Sequence, residues 1–157
     1  MNVLVACEYS GRVRDEFRLQ RHNAWSCDLR PSLKGLFTGD WDLIIAFPPC
    51  TYLCSSGARW WKRYPERQVD AIDFVKKCIE NPVGVLPNYL GKYSQIIHPW
   101  HYGDPYTKAT CLWLEGLPLL EATDRVKPLG GIHWLMNSDR DLTFPGVARA
   151  MGEQWKE

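Results

Sequence analysis

The chain has 157 residues, 45% of them apolar and 13% aromatic, which is enough for one core of ordinary domain size and too few for two full domains. A formal net charge of +1 gives no global electrostatic case for a polyanionic partner, so any nucleic-acid contact must come from a local patch. No run of eighteen apolar residues offers a membrane span, and the apolar start VLVAC has neither a basic segment before it nor a small-residue cleavage site after it. The expected setting is therefore a soluble protein of the cytoplasm.

Residues 2–7 read as a buried strand, short and β-rich, that ends in the polar turn Glu8-Tyr9-Ser10-Gly11. The spacing of Val13 and Phe17, with Leu19 placed on the same face, predicts a helix whose Arg12, Arg14, Asp15, Glu16 and Arg18 stay in water, ending near His22 and Asn23. Residues 24–27 read as a second strand, closed by Asp28. Residues 41–47 (WDLIIAF) are apolar enough to be buried on both faces, which favours the middle of a parallel sheet, and Pro48 and Pro49 stop that strand abruptly. Pro65 opens a helix over 65–77, with Val69, Ile72, Phe74 and Val75 as its apolar positions. A short strand is expected at 77–79, further strands at 95–98 and 110–114, and a closing helix at 145–155.

This alternation predicts an α/β fold with a mostly parallel sheet in a single domain over 1–157. Sheets of that kind collect ligands at the carboxyl ends of their strands. Four segments fall there: 8–11, Asp28, 48–50 and 80–82.

The turn at Cys7, Glu8, Tyr9, Ser10 and Gly11 joins a strand to a helix, so its backbone can approach a polar ligand closely. Asp28, about twenty residues on, stands where nucleoside-binding sheets put a carboxylate for ribose hydroxyls. The other reading is an ordinary turn and a surface aspartate. In Phe47-Pro48-Pro49-Cys50 the two prolines remove two N–H donors and fix the direction of the next side chain. A thiol aimed out of a strand end can add to an electron-poor ring, because its thiolate is a strong nucleophile. Otherwise the segment is a plain strand-to-loop break. Glu80-Asn81-Pro82 is alone a common turn. Beside such a thiol, however, a protonated carboxyl group can hydrogen-bond a ring nitrogen and draw electrons from the ring during addition.

Six cysteines without a CxxC pair suggest reduced, mostly buried thiols, and His98, His101 and Cys111 are a poor match to zinc spacing, so no metal is expected. The one local basic patch is Arg59, Lys62, Arg63 and Arg67, interleaved with Trp60, Trp61 and Tyr64. It reads either as a platform for a nucleic-acid strand or as a tryptophan-rich lid over the core. Trp100, Tyr102, Trp113 and Trp134 read as core or interface.

At these residues the chain resembles the small cytosine-5 DNA methyltransferases often carried by phages. The likeness runs through VLVACEYSGRVRDEF, AWSCDL, WDLIIAFPPCTYLCSSG, IENPVG, QIIHPWHYGDPYTKATCLWLEGLP and FPGVARAMGEQW. It implies a shortened Rossmann-like methyltransferase fold without a separate target-recognition domain, and S-adenosyl-methionine as cofactor. It makes Cys50 the nucleophile and Glu80, with Asn81, the acid motif. The cofactor would lie on Cys7, Glu8, Tyr9, Ser10, Gly11, Asp28, Leu29 and Pro48, with Pro49 walling the base pocket and Lys108 and Arg59 contacting phosphates. Target DNA must be flipped open to expose C6 of the base, and its other contacts would fall to the loop 55–64. The likeness departs in the stretch between Asp28 and the 41–47 strand, which is short. Gly39 and Asp40 are there either the remnant of an adenine-contacting acidic segment or the turn before the strand. Two rival readings are a non-catalytic binding protein on the same fold and a methyltransferase of RNA or free nucleotides. Oligomeric state is left open.

Overall fold

Asn2–Ala6 (β1) forms the middle of a three-stranded parallel sheet, hydrogen-bonded to Asn23–Cys27 (β2) on one side and to Leu43–Ala46 (β3) on the other. The computed structural model describes residues 1–28, 39–53, 57–79, 93–132, 135 and 142–156. Side chains alternate across β1 and β3, and both faces are covered. Val3, Val5, Leu43 and Ile45 enter the larger core with Val13 and Phe17 of α1 (Arg12–Leu19), whereas Ala6 and Ala46 meet Leu53 and Val75 of α3 (Pro65–Ile79). Burial on two faces is why these strands are unbroken apolar runs.

Helix α1 buries Val13 and Phe17, one turn apart, but Leu19 is 74% exposed, contrary to the expected face. Two residues beyond Phe17 is just over half a turn, so Leu19 points to water. The helix closes with His22 N–H donating to the Phe17 carbonyl (3.1 Å) and Arg21 N–H to that of Arg18 (2.9 Å), while Arg21 takes φ 66°. That left-handed position is one that glycine usually fills.

The last helix, α4 (Pro145–Gln154), lies against α1. Val147, Ala148, Ala150 and Met151 are buried, and Gly152 abuts the Glu16 backbone, where an added Cβ would come within 3.0 Å of the carbonyl carbon. Trp155, 1% exposed, follows the helix and donates its indole N–H to the Pro118 carbonyl (3.1 Å).

Three expectations are corrected. The strand at 77–79 is absent because α3 continues to Ile79. No glycine or proline interrupts residues 66–79, and extending an existing helix adds a hydrogen bond for each residue ordered. Second, the later strands do not join the parallel sheet in the described residues. Gln95–Ile97 (β4) pairs antiparallel with Thr110–Leu112 (β6), and Tyr106–Thr107 (β5) pairs in parallel with Gly130–Gly131 (β7). Only a 3-10 turn, Pro99–His101, and the short β5 lie between β4 and β6, so there is no crossover helix of the kind that parallel partners need. Third, the thiols are less buried than composition suggests: Cys7, Cys27 and Cys111 are half-buried and Cys50 is exposed, none of them in a disulfide.

Between β6 and β7 the chain is irregular but tied down. The Gln95 amide brackets Leu120, donating to its carbonyl (2.7 Å) and accepting from its N–H (2.8 Å), and Gln154 does the same for Glu121 at 3.0 and 2.8 Å. Tyr102, 4% exposed, also donates to the Leu120 carbonyl (3.1 Å). No helix among the described residues is long and apolar enough to cross a membrane.

The strained helix end gives a test of stability. Arg21→Gly should relieve the left-handed penalty and stabilise the chain by about 1 kcal/mol, raising Tm by roughly 2–4 °C in a thermal melt. An unchanged or lower Tm would show that Arg21 is not strained.

Candidate active site at the carboxyl rim of the sheet

Parallel pairing delivers the ends of β1, β2 and β3 to one rim, and two further hydrogen bonds extend the ladder past them. Phe47 N–H donates to the Ala6 carbonyl (2.9 Å), and Glu8 N–H donates to the Cys27 carbonyl (3.0 Å). Cys7 and Glu8 therefore lie between Cys27-Asp28 and Phe47-Pro48. Phe47 is the last possible donor on β3, since neither proline carries an N–H. Pro48 is buried, while Pro49 and Cys50 are exposed, so the chain leaves the sheet and presents the thiol at the surface. Leu53 N–H closes a turn on the Cys50 carbonyl (2.9 Å). Gly57 then brings the start of α2 (Ala58–Trp61) against the Thr51 carbonyl, an approach with no room for a Cβ.

Glu8 is the one buried charged side chain of the described core, at 5% exposure. Its carboxylate turns back into α1, accepting from Val13 N–H (2.7 Å), Arg14 N–H (3.4 Å) and the Ser10 hydroxyl (3.3 Å). Ser10 in turn accepts from Arg12 N–H (3.3 Å), and Asp15 N–H reaches the Gly11 carbonyl (2.9 Å). The amides of the first turn are thus satisfied within the chain, and the charge at the helix N-terminus is already negative. Such a turn is unsuited to a phosphate and suited to a neutral or cationic group. Gly11 takes φ 68°, which L side chains rarely adopt, and the Arg14 guanidinium packs against its open side. Arg14 is held there by Asp15 (2.8 Å) and Ser26 (3.0 Å).

Cys7 adopts φ 60°, an uncommon conformation outside glycine, at the junction of strand and turn. Tyr9 is 84% exposed above the turn, and Asp28 is exposed at the end of β2. The rim thus brings together Cys7, Glu8, Tyr9, Ser10, Gly11, Asp28, Pro48, Pro49 and Cys50 among the residues picked out from sequence. Leu29, Glu80 and Asn81 lie outside the described residues. Asp40 sits at the amino end of β3, where its carbonyl meets the Asn2 amide (3.3 Å), so Gly39 and Asp40 are the turn before the strand.

Lys108 is drawn to the same side. It lines an apolar cavity of about 80 Å³ with Phe47, Ile97, Phe144 and Met151, and its ammonium lies 5.9 Å from the Phe144 ring centre. A space of that size holds a few waters and no nucleoside. Arg59 lies on α2, beyond the Cys50 turn.

Arg12 was not apparent from sequence as a site residue: it donates to the Thr143 carbonyl (2.9 Å) and pins the segment before α4 beside the rim. The partners are 131 positions apart and no local pattern signals them.

Comparison of the chain with protein-family models, with curated proteins and with solved structures found no match.

Burial raises the Glu8 carboxyl above its ordinary value near 4.5, against the opposing pull of the Val13 and Arg14 amides, the Ser10 hydroxyl and the Arg14 charge. The folded state therefore keeps the Glu8 proton to higher pH than the unfolded chain does, and stability falls as pH rises from about 4.5 through the raised value. Denaturant midpoints across this window should decline for the wild type relative to Glu8→Gln. Parallel curves would mean that Glu8 titrates normally. Glu8→Ala, which uncaps α1, should cost about 1–2 kcal/mol at neutral pH.

Proposed function

We propose that the chain is an S-adenosyl-methionine-dependent DNA (cytosine-5) methyltransferase on a shortened Rossmann-like fold. The observation that carries this reading is the exposed Cys50 thiol, held by Pro48 and Pro49 at the rim that also carries the Glu8 to Gly11 turn and Asp28. A likeness of motifs supplies the chemistry, and the rim supplies a consistent set of positions for it.

The residues present fit the cofactor in two respects. Asp28 offers an exposed acceptor for ribose hydroxyls, and the carboxylate-capped turn suits a cationic sulfonium better than a phosphorylated nucleotide. When bound, S-adenosyl-methionine supplies an electrophilic methyl group. Tyr9 would cover the nucleoside, Glu8 would hold the turn in shape, and Pro48 would floor the site.

On the substrate side, a cytosine flipped from the duplex presents C6 to the Cys50 thiolate. Sulfur bonds to C6, and the electron pair of the C5–C6 double bond becomes available at C5. Glu80, by the resemblance, hydrogen-bonds N3 and makes the ring more electron-poor. Methyl transfer to C5 would leave S-adenosyl-homocysteine, and loss of the C5 proton to solvent water would restore the double bond and expel the thiolate, so the enzyme is regenerated. Pro49 would wall the base, while Lys108 and Arg59 would hold phosphates as charge-assisted donors.

Incubation with methyl-labelled S-adenosyl-methionine and duplex DNA, RNA or dCMP is expected to label the DNA, and Cys50→Ala should reduce labelling to background. DNA carrying 5-fluorocytosine should trap a covalent adduct with the wild type and not with Cys50→Ala, since fluorine cannot leave as a proton does. Labelling that survives Cys50→Ala removes the thiol mechanism, and failure to label any acceptor favours a binding protein. Asp28→Ala should raise the apparent KM for the cofactor by roughly tenfold, the worth of charge-assisted hydrogen bonds, with kcat little changed.

A further inference from the structure

Beyond Cys50 the chain builds a surface of alternating cations and rings. The Arg59 guanidinium lies 4.9 Å from the Trp60 ring centre, Arg63 lies 5.9 Å from Trp60 and 5.5 Å from Tyr64, and Arg67 lies 4.7 Å from Tyr64. Trp60 and Tyr64 stack on each other at 6.1 Å and 24°, and Arg67 donates to the Tyr52 hydroxyl (3.0 Å). The three arginines are exposed, and none forms an ion pair with a described carboxylate, although Glu66 is next to Arg67 in the chain.

A guanidinium lying on a ring face keeps its N–H groups in the plane, directed outward, so the ring fixes the fork without using its donors. These three guanidinium groups, Arg67 with one donor on Tyr52, and the exposed Lys62 make a local excess of positive charge on a chain that is nearly neutral overall. Trp60 and Tyr64, between the cations, are half-buried and keep part of their ring surface in water. Phosphates alone would not need the rings, and a duplex hides the base faces that the rings could stack on. Cations and rings in alternation match a strand whose bases are unstacked. The close contact of Gly57 with Thr51 starts this surface directly after the nucleophile turn.

We propose that the corner formed by Tyr52, α2 and the start of α3 binds a single-stranded DNA segment next to the target cytosine, its arginines on phosphates and Trp60 and Tyr64 on bases. The proposal rests on the methyltransferase reading and narrows it: the preferred substrate has unpaired nucleotides flanking the target, and duplex DNA is used after local opening.

The test is binding without cofactor, by fluorescence anisotropy, using the full chain with Cys50→Ala. The probes are a labelled short oligo(dT) and a blunt duplex of the same length, with poly-glutamate as competitor. Oligo(dT) should bind more tightly than the duplex, and Trp60→Ala and Tyr64→Ala should each weaken it by roughly tenfold. The exposed substitutions Arg59→Gln and Arg63→Gln should each reduce the slope of log K on log salt by about 0.7 for oligo(dT), and they decide the matter if circular dichroism shows a ring variant misfolded. Equal affinity for duplex, an unchanged salt slope, ring variants that fold and bind normally, or displacement by poly-glutamate as effective as by unlabelled oligo(dT) overturns the proposal. Such a result alongside Cys50-dependent labelling of DNA leaves the enzyme reading intact. Strand preference without labelling overturns the enzyme reading alone.

Discussion

Hydrogen bonding of β1 to parallel neighbours on both sides is the constraint from which the rest of the structure follows. Once Val3 pairs with Ala24 and Leu43, and Ala6 with Cys27 and Ala46, the register sends the continuations of all three strands to one rim. A shift of one residue would put Val3 and Val5 on the α3 side and expose the α1 core to alanine-sized groups, so packing on both faces enforces the register. The turn, the acid at Asp28 and the thiol at Cys50 are neighbours because of that pairing, although they are widely separated in sequence.

The turn after β1 has an electrostatic character of its own. In phosphate-binding α/β proteins the first helix keeps its terminal amides available and its positive end open. Here Glu8 closes that end, with oxygens on Val13 and Arg14, and its burial is tolerated because those amides share the charge. The cost appears as the raised carboxyl pKa, and the result is a turn whose first helix amides are already satisfied.

Much of this was legible from the residues. The strands β1 to β3, the helices around Val13, Phe17 and Pro65, and the closing helix all follow from periodicity and from proline punctuation, because each buries a local pattern. The rim itself was legible because parallel sheets expose chemistry at their carboxyl ends. The features that were not legible depend on distant partners. Glu8 reads in sequence as part of a ligand turn, and only the return of the helix amides shows that it also caps α1. The antiparallel pairing of β4 with β6 turns on the absence of a crossover helix, which a strand pattern does not report. The segment between β6 and β7 takes its order from Gln95 and Gln154, polar side chains that stand in for a strand partner and leave no hydrophobic period to read. Arg12 on Thr143 is of the same kind.

The contact between Gly152 and the Glu16 backbone has a consequence for how the molecule comes into being. Helix α1 buries Phe17 in a core that α4, far later in the chain, completes, so at synthesis rates of about 5–20 residues per second the first strand and helix wait several seconds for that cover. During that interval the face of the nascent sheet that carries Val3, Val5, Leu43 and Ile45 lacks part of its apolar cover.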